Sequence, residues 1–424
     1  MPASAGASTR FGMYVLSRML ERFVQTGTLR VIDPLGRMHE FSGTAEPVAT
    51  IRLHAPNLPW KLFLNPELHA GESYMNGTLT LVDCSLEDFL GLFSLNRSSM
   101  ASVPLQSVLR RLSRMLRAFQ QYNPIGKAQQ NVAHHYDLSR ELYELFLDED
   151  LQYSCAYFSS PDDSLEQAQE NKKRHLAAKL RLSPGQRVLD IGSGWGGLAF
   201  DIARRADVQV LGVTLSEEQY RLSTERAKTL GLSDRVHFEL IDYRKVTGRF
   251  DRVISVGMFE HVGVNHYPTF FDRVRDLLEP AGVAVLHSIG HRSPPGNASA
   301  WMRKYIFPGA YGPALSETLA AIEKTDLWVA DIEILRLHYA RTLREWYRRF
   351  QRNRAEIEQL YDERFCRMWE FYLLSAESMF QTGGEMVFQM QLTRQRDAVP
   401  LTRNYLYETE AAYRAGDEKP QPPR

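Results

Sequence analysis

Between Gly185 and Gly290 short apolar runs alternate with longer amphipathic ones, and this alternation constrains the fold more than any other feature of the chain. QRVLDIG, VQVLGVTLS, RVHFELID, DRVISVG and GVAVLHSIG have the apolar, β-branched character of strands, whereas GLAFDIARRA, EEQYRLSTERAKTLG and YPTFFDRVRDLLEP have helical spacing. Apolar strands linked through amphipathic segments of about 10–15 residues predict a parallel sheet with helices on both faces. The expected fold class is α/β.

Glycine sits where such a sheet binds ligands. Val188-Leu189-Asp190-Ile191-Gly192-Ser193-Gly194-Trp195-Gly196-Gly197 is a strand running into a glycine-rich turn and then a helix. The turn admits positive φ and lets a ligand approach the backbone, in the crevice where open α/β sheets hold nucleotides. A dinucleotide site calls for G-x-G-x-x-G and an acid about 20 residues further on. Here the spacing is G-x-G-x-G, and the second strand ends in Val213-Thr214-Leu215-Ser216 without an acid. Asp190 ahead of the first glycine, with Asp242-Tyr243 after the third strand, resembles instead the Rossmann-like S-adenosylmethionine methyltransferases. The alternative is that the glycines serve only tight packing of the helix.

Composition sets outer limits. The 424 residues hold 51 Lys+Arg and 51 Asp+Glu, a formal net charge of zero, and 44% are hydrophobic. This is globular composition with room for two or three domains, and it excludes a surface built throughout to attract nucleic acid. Cys84, Cys155 and Cys366 lie far apart, as suits a reducing cytoplasm and unlike a zinc site or a disulfide framework. The start, MPASAGASTRFGMYVLSRMLERFV, lacks the uninterrupted apolar core of a signal peptide. No run of about 18 apolar residues is present to span a bilayer. Charge is nonetheless uneven: Arg110, Arg111, Arg114 and Arg117 give +4 over 105–121, and six Arg against one Glu give +5 over 341–354. Each stretch is either a site for anionic headgroups or a solvated or packed helix face.

Ahead of the alternation, residues 12–24 have amphipathic helical spacing. LRVIDPLG, HEFSG, ATIRLHA and WKLFLN, separated by Gly, Pro and Asn, predict a small sheet-rich unit. Helical spacing returns in SLEDFLGLF and in Leu105, Leu109, Leu112 and Leu116. After Ser293 the pattern is mainly helical, and the final GDEKPQPPR reads as a frayed tail.

Further stretches carry a more specific signal: His134-His135-Tyr136-Asp137-Leu138-Ser139, Tyr153-Ser154-Cys155-Ala156-Tyr157-Phe158, Gly212 to Ser216, Ser255-Val256-Gly257-Met258-Phe259-Glu260-His261-Val262-Gly263, Leu286-His287-Ser288-Ile289-Gly290, Lys304-Tyr305-Ile306-Phe307-Pro308-Gly309 and His338-Tyr339-Ala340-Arg341-Thr342-Leu343. In identity and order, over roughly residues 130 to 393, the chain resembles the cyclopropane fatty acid synthases and mycolic acid cyclopropane synthases. The resemblance implies a Rossmann-like class I methyltransferase core over 131–400, with helical additions. It also implies a smaller α+β N-terminal domain over 1–104, similar in outline to a lipid-binding domain, whose most motif-like piece is Gly71-Glu72-Ser73-Tyr74-Met75-Asn76-Gly77. A basic amphipathic helix and linker over 105–130 and a tail over 401–424 complete the expected organisation.

By the same resemblance the co-substrate is S-adenosyl-L-methionine and the substrate a cis double bond in an acyl chain of a membrane phospholipid. An alkene attacks the sulfonium methyl with its own π electrons, which leaves a carbocation; closing the ring then needs a proton acceptor at the new methyl. In the family that acceptor is a bound bicarbonate, held by positions matching Cys155, Glu260, His287 and Tyr339 and the backbone at Ile289. Glu260 and Tyr339 would orient the anion, while Cys155 and His287 would donate hydrogen bonds. The resemblance assigns Tyr153 and Ser154 to the sulfonium end, Asp190, Gly192 and Gly194 to the methionine part, Thr214, Leu215 and Gln219 to the ribose, and Asp242 with Tyr243 to adenine. Tyr136, Tyr157 and Phe158 offer π faces to the cation or else pack in the core. Some members carry a cysteine in the segment matching Ser375-Ala376-Glu377; Ala376 excludes a thiol there. Read without the family, Cys155 is a small buried hydrophobe, Glu260 and His261 a helix cap or surface pair, and His287 a partner for a nearby carbonyl.

Two other outcomes stay open at this point: a methyl-branched or methylene acid from the same cation, and a small-molecule N-methyltransferase built on the same core. A non-catalytic lipid-binding protein is a third, which the intact Asp190, Gly192 and Gly194 speak against. The expected partner is unsaturated phospholipid, met by peripheral contact from the cytoplasm; nucleic acid is not expected, and the bacterial relatives suggest a homodimer.

Overall fold

The computed structural model describes residues 2–102 and 138–417. The basic stretch at 105–121, the His134-His135-Tyr136-Asp137 motif and the last seven residues lie outside the described residues. Two compact units form, each drawing on separated parts of the chain.

The first unit joins N-terminal residues to 296–308 and 343–385. Its sheet has the order β2-β1-β3-β4, from strands β1 (Thr28–Ile32), β2 (Met38–Ser42), β3 (Val48–Leu53) and β4 (Leu79–Leu81). β1 runs antiparallel to β2 and parallel to β3. WKLFLN, expected among the sheet segments, is instead part of the helix Leu58–Leu64. Pro59 presets φ in its first turn, and Leu58 and Leu62, four apart, are buried on one face. The helix Leu86–Leu95 begins at a capping box between Ser85 and Asp88.

The Gly71-to-Gly77 motif acts as a seat within this unit. A Cβ on Gly71 would lie 2.4 Å from Nε1 of Trp301. Glu72 accepts from Nζ of Lys304 at 2.6 Å and from the hydroxyl of Tyr305 at 2.8 Å, and Tyr74 donates to Glu370 at 3.1 Å. Segments more than 200 residues away in sequence are thereby fixed on the N-terminal helices.

The second unit holds a seven-stranded sheet in the order β10-β11-β9-β8-β5-β6-β7. The strands are β5 (Arg187–Ile191), β6 (Gln209–Thr214), β7 (Val236–Leu240), β8 (Phe250–Val256), β9 (Leu278–His291), β10 (Trp328–Leu335) and β11 (Glu385–Thr393). β7, β6, β5, β8 and β9 are parallel throughout, and the pair β10/β11 is antiparallel. The five expected strands therefore form the parallel core of a mixed sheet. Val188, Leu189, Asp190 and Ile191 are all buried, as a central strand covered on both faces requires. Leu176, Leu180, Val188, Phe200, Val210, Ile254 and Val285 belong to one apolar cluster that fixes helices on this sheet. Sequence order reverses at β5, between β6 on one side and β8 on the other, and this opens a crevice at the carboxyl ends of the strands.

Candidate active site

β5 delivers Asp190, and the chain then turns sharply at Gly192, whose φ is +84°. A Cβ at Gly192 would sit 2.8 Å from Cβ of Met258, so both the conformation and the space demand glycine. The ten residues expected around the co-substrate, Tyr153, Ser154, Asp190, Gly192, Gly194, Thr214, Leu215, Gln219, Asp242 and Tyr243, all line one open cavity.

The polar groups of this cavity are in different states of satisfaction. Asp190 is 1% exposed, and its Oδ2 has no hydrogen-bond partner among the described residues. Burial pushes its pKa up to about 7, opposed by the charge of Lys172. An orphaned buried carboxyl of this kind calls for a hydrogen-bond donor or a cation from whatever fills the cavity. Gln219 accepts from Oγ1 of Thr214 at 2.8 Å, so its amide NH₂ is left as a donor. Asp242 is held by Arg244 through Nε at 2.8 Å and Nη2 at 2.6 Å, a bidentate pair that orients the carboxylate. Burial raises the Tyr243 hydroxyl above the ordinary tyrosine range, so that side chain is a neutral wall.

Of the residues expected around bicarbonate, Cys155, Glu260, His287 and Tyr339 are buried and Ile289 is half-buried, all in the same unit. Glu260 accepts from the backbone N–H of Ile289 at 2.6 Å, and its other oxygen, Oε2, has no partner among the described residues. Burial pushes Glu260 up to about 7, opposed by the backbone N–H of Ile289 and by the nearby Ser288 hydroxyl, which itself is turned to the carbonyl of Ile289 at 2.9 Å. His287 stands two residues before Ile289 on β9, 2% exposed and held neutral by burial and by the charges of Lys172, Lys179 and His175. Cys155 is 1% exposed, and burial lifts its thiol well above the ordinary range, so it stays S–H. The strip carrying Cys155 is tied to the helix His338–Arg352 where the backbone N–H of Ala156 donates to Oγ1 of Thr342 at 3.0 Å. Tyr339 lies in that helix's first turn, 7% exposed. Glu260 and Ile289 are thus in direct contact, and the strip holding Cys155 is anchored through Ala156 and Thr342 to the helix that carries Tyr339.

Tyr157 and Phe158 take structural partners. The Tyr157 ring lies between His175 at 4.3 Å and His338 at 4.9 Å, both stacked, and Phe158 lies under the guanidinium of Arg341 at 4.1 Å. Ala376 falls in the helix Glu363–Gln381 of the first unit. Several residues of the site carry no role from the sequence alone. His261, Met258 and Arg244 line the cavity; burial pulls His261 down to about 4. Met258 and His261 lie within the Ser255-to-Gly263 motif and Arg244 follows Asp242-Tyr243, which is the signal that points to them. Lys172, wholly buried, donates to Oε1 of Gln152 at 2.7 Å and Oγ of Ser154 at 2.8 Å, and burial lowers it to about 8. No local signal marks it.

The family model described as mycolic acid cyclopropane synthetase matches residues 125–390. The cyclopropane-fatty-acyl-phospholipid synthase of Escherichia coli is 36% identical over 351 residues, which cover 82% of this chain and 88% of that one. The tuberculostearic acid methyltransferase UfaA1 of Mycobacterium tuberculosis is 34% identical over 398 residues, 90% of this chain and 91% of its own. Among solved structures, the mycolic acid cyclopropane synthase CmaA1 complexed with SAH and CTAB superposes with a TM-score of 0.60 at 30% identity, covering 64% of this chain and 99% of that one. Sequence match, parallel core and glycine-turn cavity agree: the chain belongs to the mycolic acid cyclopropane synthetase family and is an S-adenosylmethionine-dependent methyltransferase.

Proposed function

We propose that this enzyme adds a methylene, derived from the methyl group of S-adenosylmethionine, across a cis double bond in a phospholipid acyl chain, and that bound bicarbonate takes the released proton. The observation that carries the reading is Glu260, with one oxygen fixed on the Ile289 backbone and the other buried without a partner among the described residues. An oxygen left in that state calls for a hydrogen-bond donor, and the hydroxyl of bicarbonate is one.

S-Adenosylmethionine supplies an electrophilic methyl group, and bicarbonate, when bound, supplies the oxygen that accepts a proton as the ring closes. The chain's own work is to hold the two and keep water away from the cation. Asp190, Thr214, Gln219 and Asp242 hold the co-substrate, with Tyr153 and Ser154 at its sulfonium end and Leu215 and Tyr243 packing the nucleoside. The neutral His287 donates to the anion, and Glu260 and Tyr339 orient it; the Cys155 thiol, whose S–H lies on the carbonyl of Ala156 at 3.3 Å, donates to the anion on turning from that carbonyl. A thiol kept protonated by burial is suited to donating and unsuited to attack.

A second reading keeps the cation and ends in a methyl-branched or methylene acid; the match to a tuberculostearic acid methyltransferase over 90% of this chain favours it. An N-methyltransferase is a more distant reading. Incubation with unsaturated phospholipid vesicles and methyl-labelled adenosylmethionine separates them. A gain of about 14 mass units per acyl chain with cyclopropyl proton signals is expected. The same gain with vinylic methyl or exocyclic methylene signals overturns the ring.

The substrate implies a peripheral enzyme at the cytoplasmic face of the membrane, and the proposal includes the homodimer suggested by the resemblance. No helix among the described residues is long and apolar enough to cross a bilayer. The stretch 341–354 supports contact poorly: Arg344 is bonded to Glu87 and Glu377, and Arg354 to Glu358, Glu363 and Glu370. A better surface lies on the N-terminal helices, where Phe11 and Tyr14 are about 60% exposed and Trp60 is 41% exposed.

A further inference from the structure

His287 can serve a bound anion only if the right ring nitrogen carries the proton, and the residues behind it decide which one does. Nδ1 of His287 lies 3.1 Å from Nε2 of Gln389, a wholly buried residue of β11. The amide of Gln389 is oriented from its other end, where Oε1 lies 2.7 Å from Nζ of Lys179. An ammonium has donors only, so the amide oxygen must face the lysine and the NH₂ must face the histidine. An amide NH₂ cannot accept, so Nδ1 must receive it through its lone pair.

Lys179 is itself immobilised. It is wholly buried, donates also to Glu333, and its backbone oxygen accepts from Gln391, whose own amide oxygen takes the hydroxyl of Tyr405 at 2.8 Å. Each member of this chain of groups has one orientation that leaves no donor facing a donor. We propose that Gln389, turned by Lys179, is a positioning residue that fixes His287 as its neutral Nε2–H tautomer and so provides the donor for the anion at Glu260 and Ile289. Lys179, Gln389 and His287 then act as one unit, with the lysine charge two hydrogen bonds removed from the ring. Burial and the charges of Lys172, Lys179 and His175 keep the ring from becoming an imidazolium, which removes the competing double-donor state.

This inference rests on the bicarbonate reading for its catalytic consequence but not for the tautomer, so the experiment has two arms. In the first, ¹⁵N-histidine NMR of the full chain, with His287 assigned by difference against His287→Asn, reads the tautomer without any anion. The Nε2–H form is expected in the parent. In Gln389→Glu, whose new carboxylate still accepts from Lys179 but cannot donate, the proton should move to Nδ1.

In the second arm, turnover is measured on dioleoylphosphatidylglycerol vesicles in CO₂-depleted buffer with bicarbonate added back. Gln389→Glu should cut kcat or raise the bicarbonate requirement roughly 10- to 100-fold, the worth of a hydrogen bond to a charged group, with adenosylmethionine affinity by calorimetry unchanged. Gln389→Met, which removes the donor without adding charge, should lose less and show both tautomers; it replaces the first variant if that one fails to fold. An Nδ1–H form in the parent overturns the proposal, as does a moved proton with unchanged turnover. A parent rate indifferent to bicarbonate overturns the anion reading and is seen separately from the tautomer.

Discussion

The backbone N–H of Ile289 donates to Oε1 of Glu260 at 2.6 Å, while Oε2 of the same carboxyl is buried without a partner among the described residues. A side chain held by one oxygen and open at the other is poised for a ligand. Glu260→Ala should therefore abolish turnover, by roughly 10²-fold or more, while adenosylmethionine affinity by calorimetry stays within about twofold. Loss of binding together with turnover would remove Glu260 from its assigned role. Because burial raises its pKa from 4.5 to about 7, kcat/KM should rise as pH passes through about 7, where the carboxylate forms. That limb should vanish in Glu260→Gln.

Asp190 sets binding against stability. Its pKa is raised from 3.8 to about 7, so the folded state favours the protonated form. The stability this contributes is complete below about 3.8 and is lost as pH rises through about 7. At pH 8 the ligand-free protein bears the full cost of a buried charge. Asp190→Asn should then raise Tm by ~5 °C at pH 8, less at pH 5, and should remove the Tm increase that adenosylmethionine gives the parent. An Asn variant that still gains stability from the co-substrate would contradict the assignment.

Two glycines of the turn should fail in different ways. Gly192→Ala places a Cβ 2.8 Å from Met258 at φ +84°, so thermal stability should fall by about 2 kcal/mol or more along with binding. Gly194, at φ +54°, would meet no protein atom within 4 Å, and it lines the cavity. Gly194→Ala should cost only about 1 kcal/mol of stability yet weaken adenosylmethionine by roughly tenfold or more, since its methyl occupies ligand space. Equal affinity in both variants and the parent would place the co-substrate elsewhere.

What could be read before the structure, and what could not, follows from the range of the signals. The β5 strand, the glycine turn and Asp190 are contiguous, and hydrophobic period with positive-φ glycine marks them locally. WKLFLN misled because a short apolar run has no period of its own; Pro59 in the helix's first turn was the informative residue. The arginine count over 341–354 said nothing of Glu87, which is 257 positions from Arg344. Nor does any local pattern reveal that Gln389 meets Lys179 across 210 residues and His287 across 102. Buried polar residues become meaningful only when their partners are known, and those partners come from tertiary contact.

The membrane contact can be localised by contrast. Phe11 and Trp60 lie 6.0 Å apart, ring to ring, and Arg18 covers Tyr14 at 5.8 Å. Arg10, Arg18 and Arg22 on the helix Pro2–Phe23 and Lys61 on the helix Leu58–Leu64 are exposed, against a single exposed acid, Glu21, which pairs with Arg18 at 3.3 Å. Aromatic rings beside cations suit the headgroup level of an anionic bilayer, where each cation adds about 1 kcal/mol. The double variant Phe11→Ser, Trp60→Ser should lower co-sedimentation with phosphatidylglycerol vesicles at least tenfold and leave circular dichroism unchanged. Added salt should weaken the parent, because the attraction is screened. Arg344→Ala should behave in the opposite sense, keeping vesicle binding and losing ~1–3 kcal/mol of stability, since it strands Glu377, whose carboxyl is already raised to about 7. If Arg344→Ala abolished sedimentation and the aromatic variant did not, the contact would belong to the 341–354 helix instead.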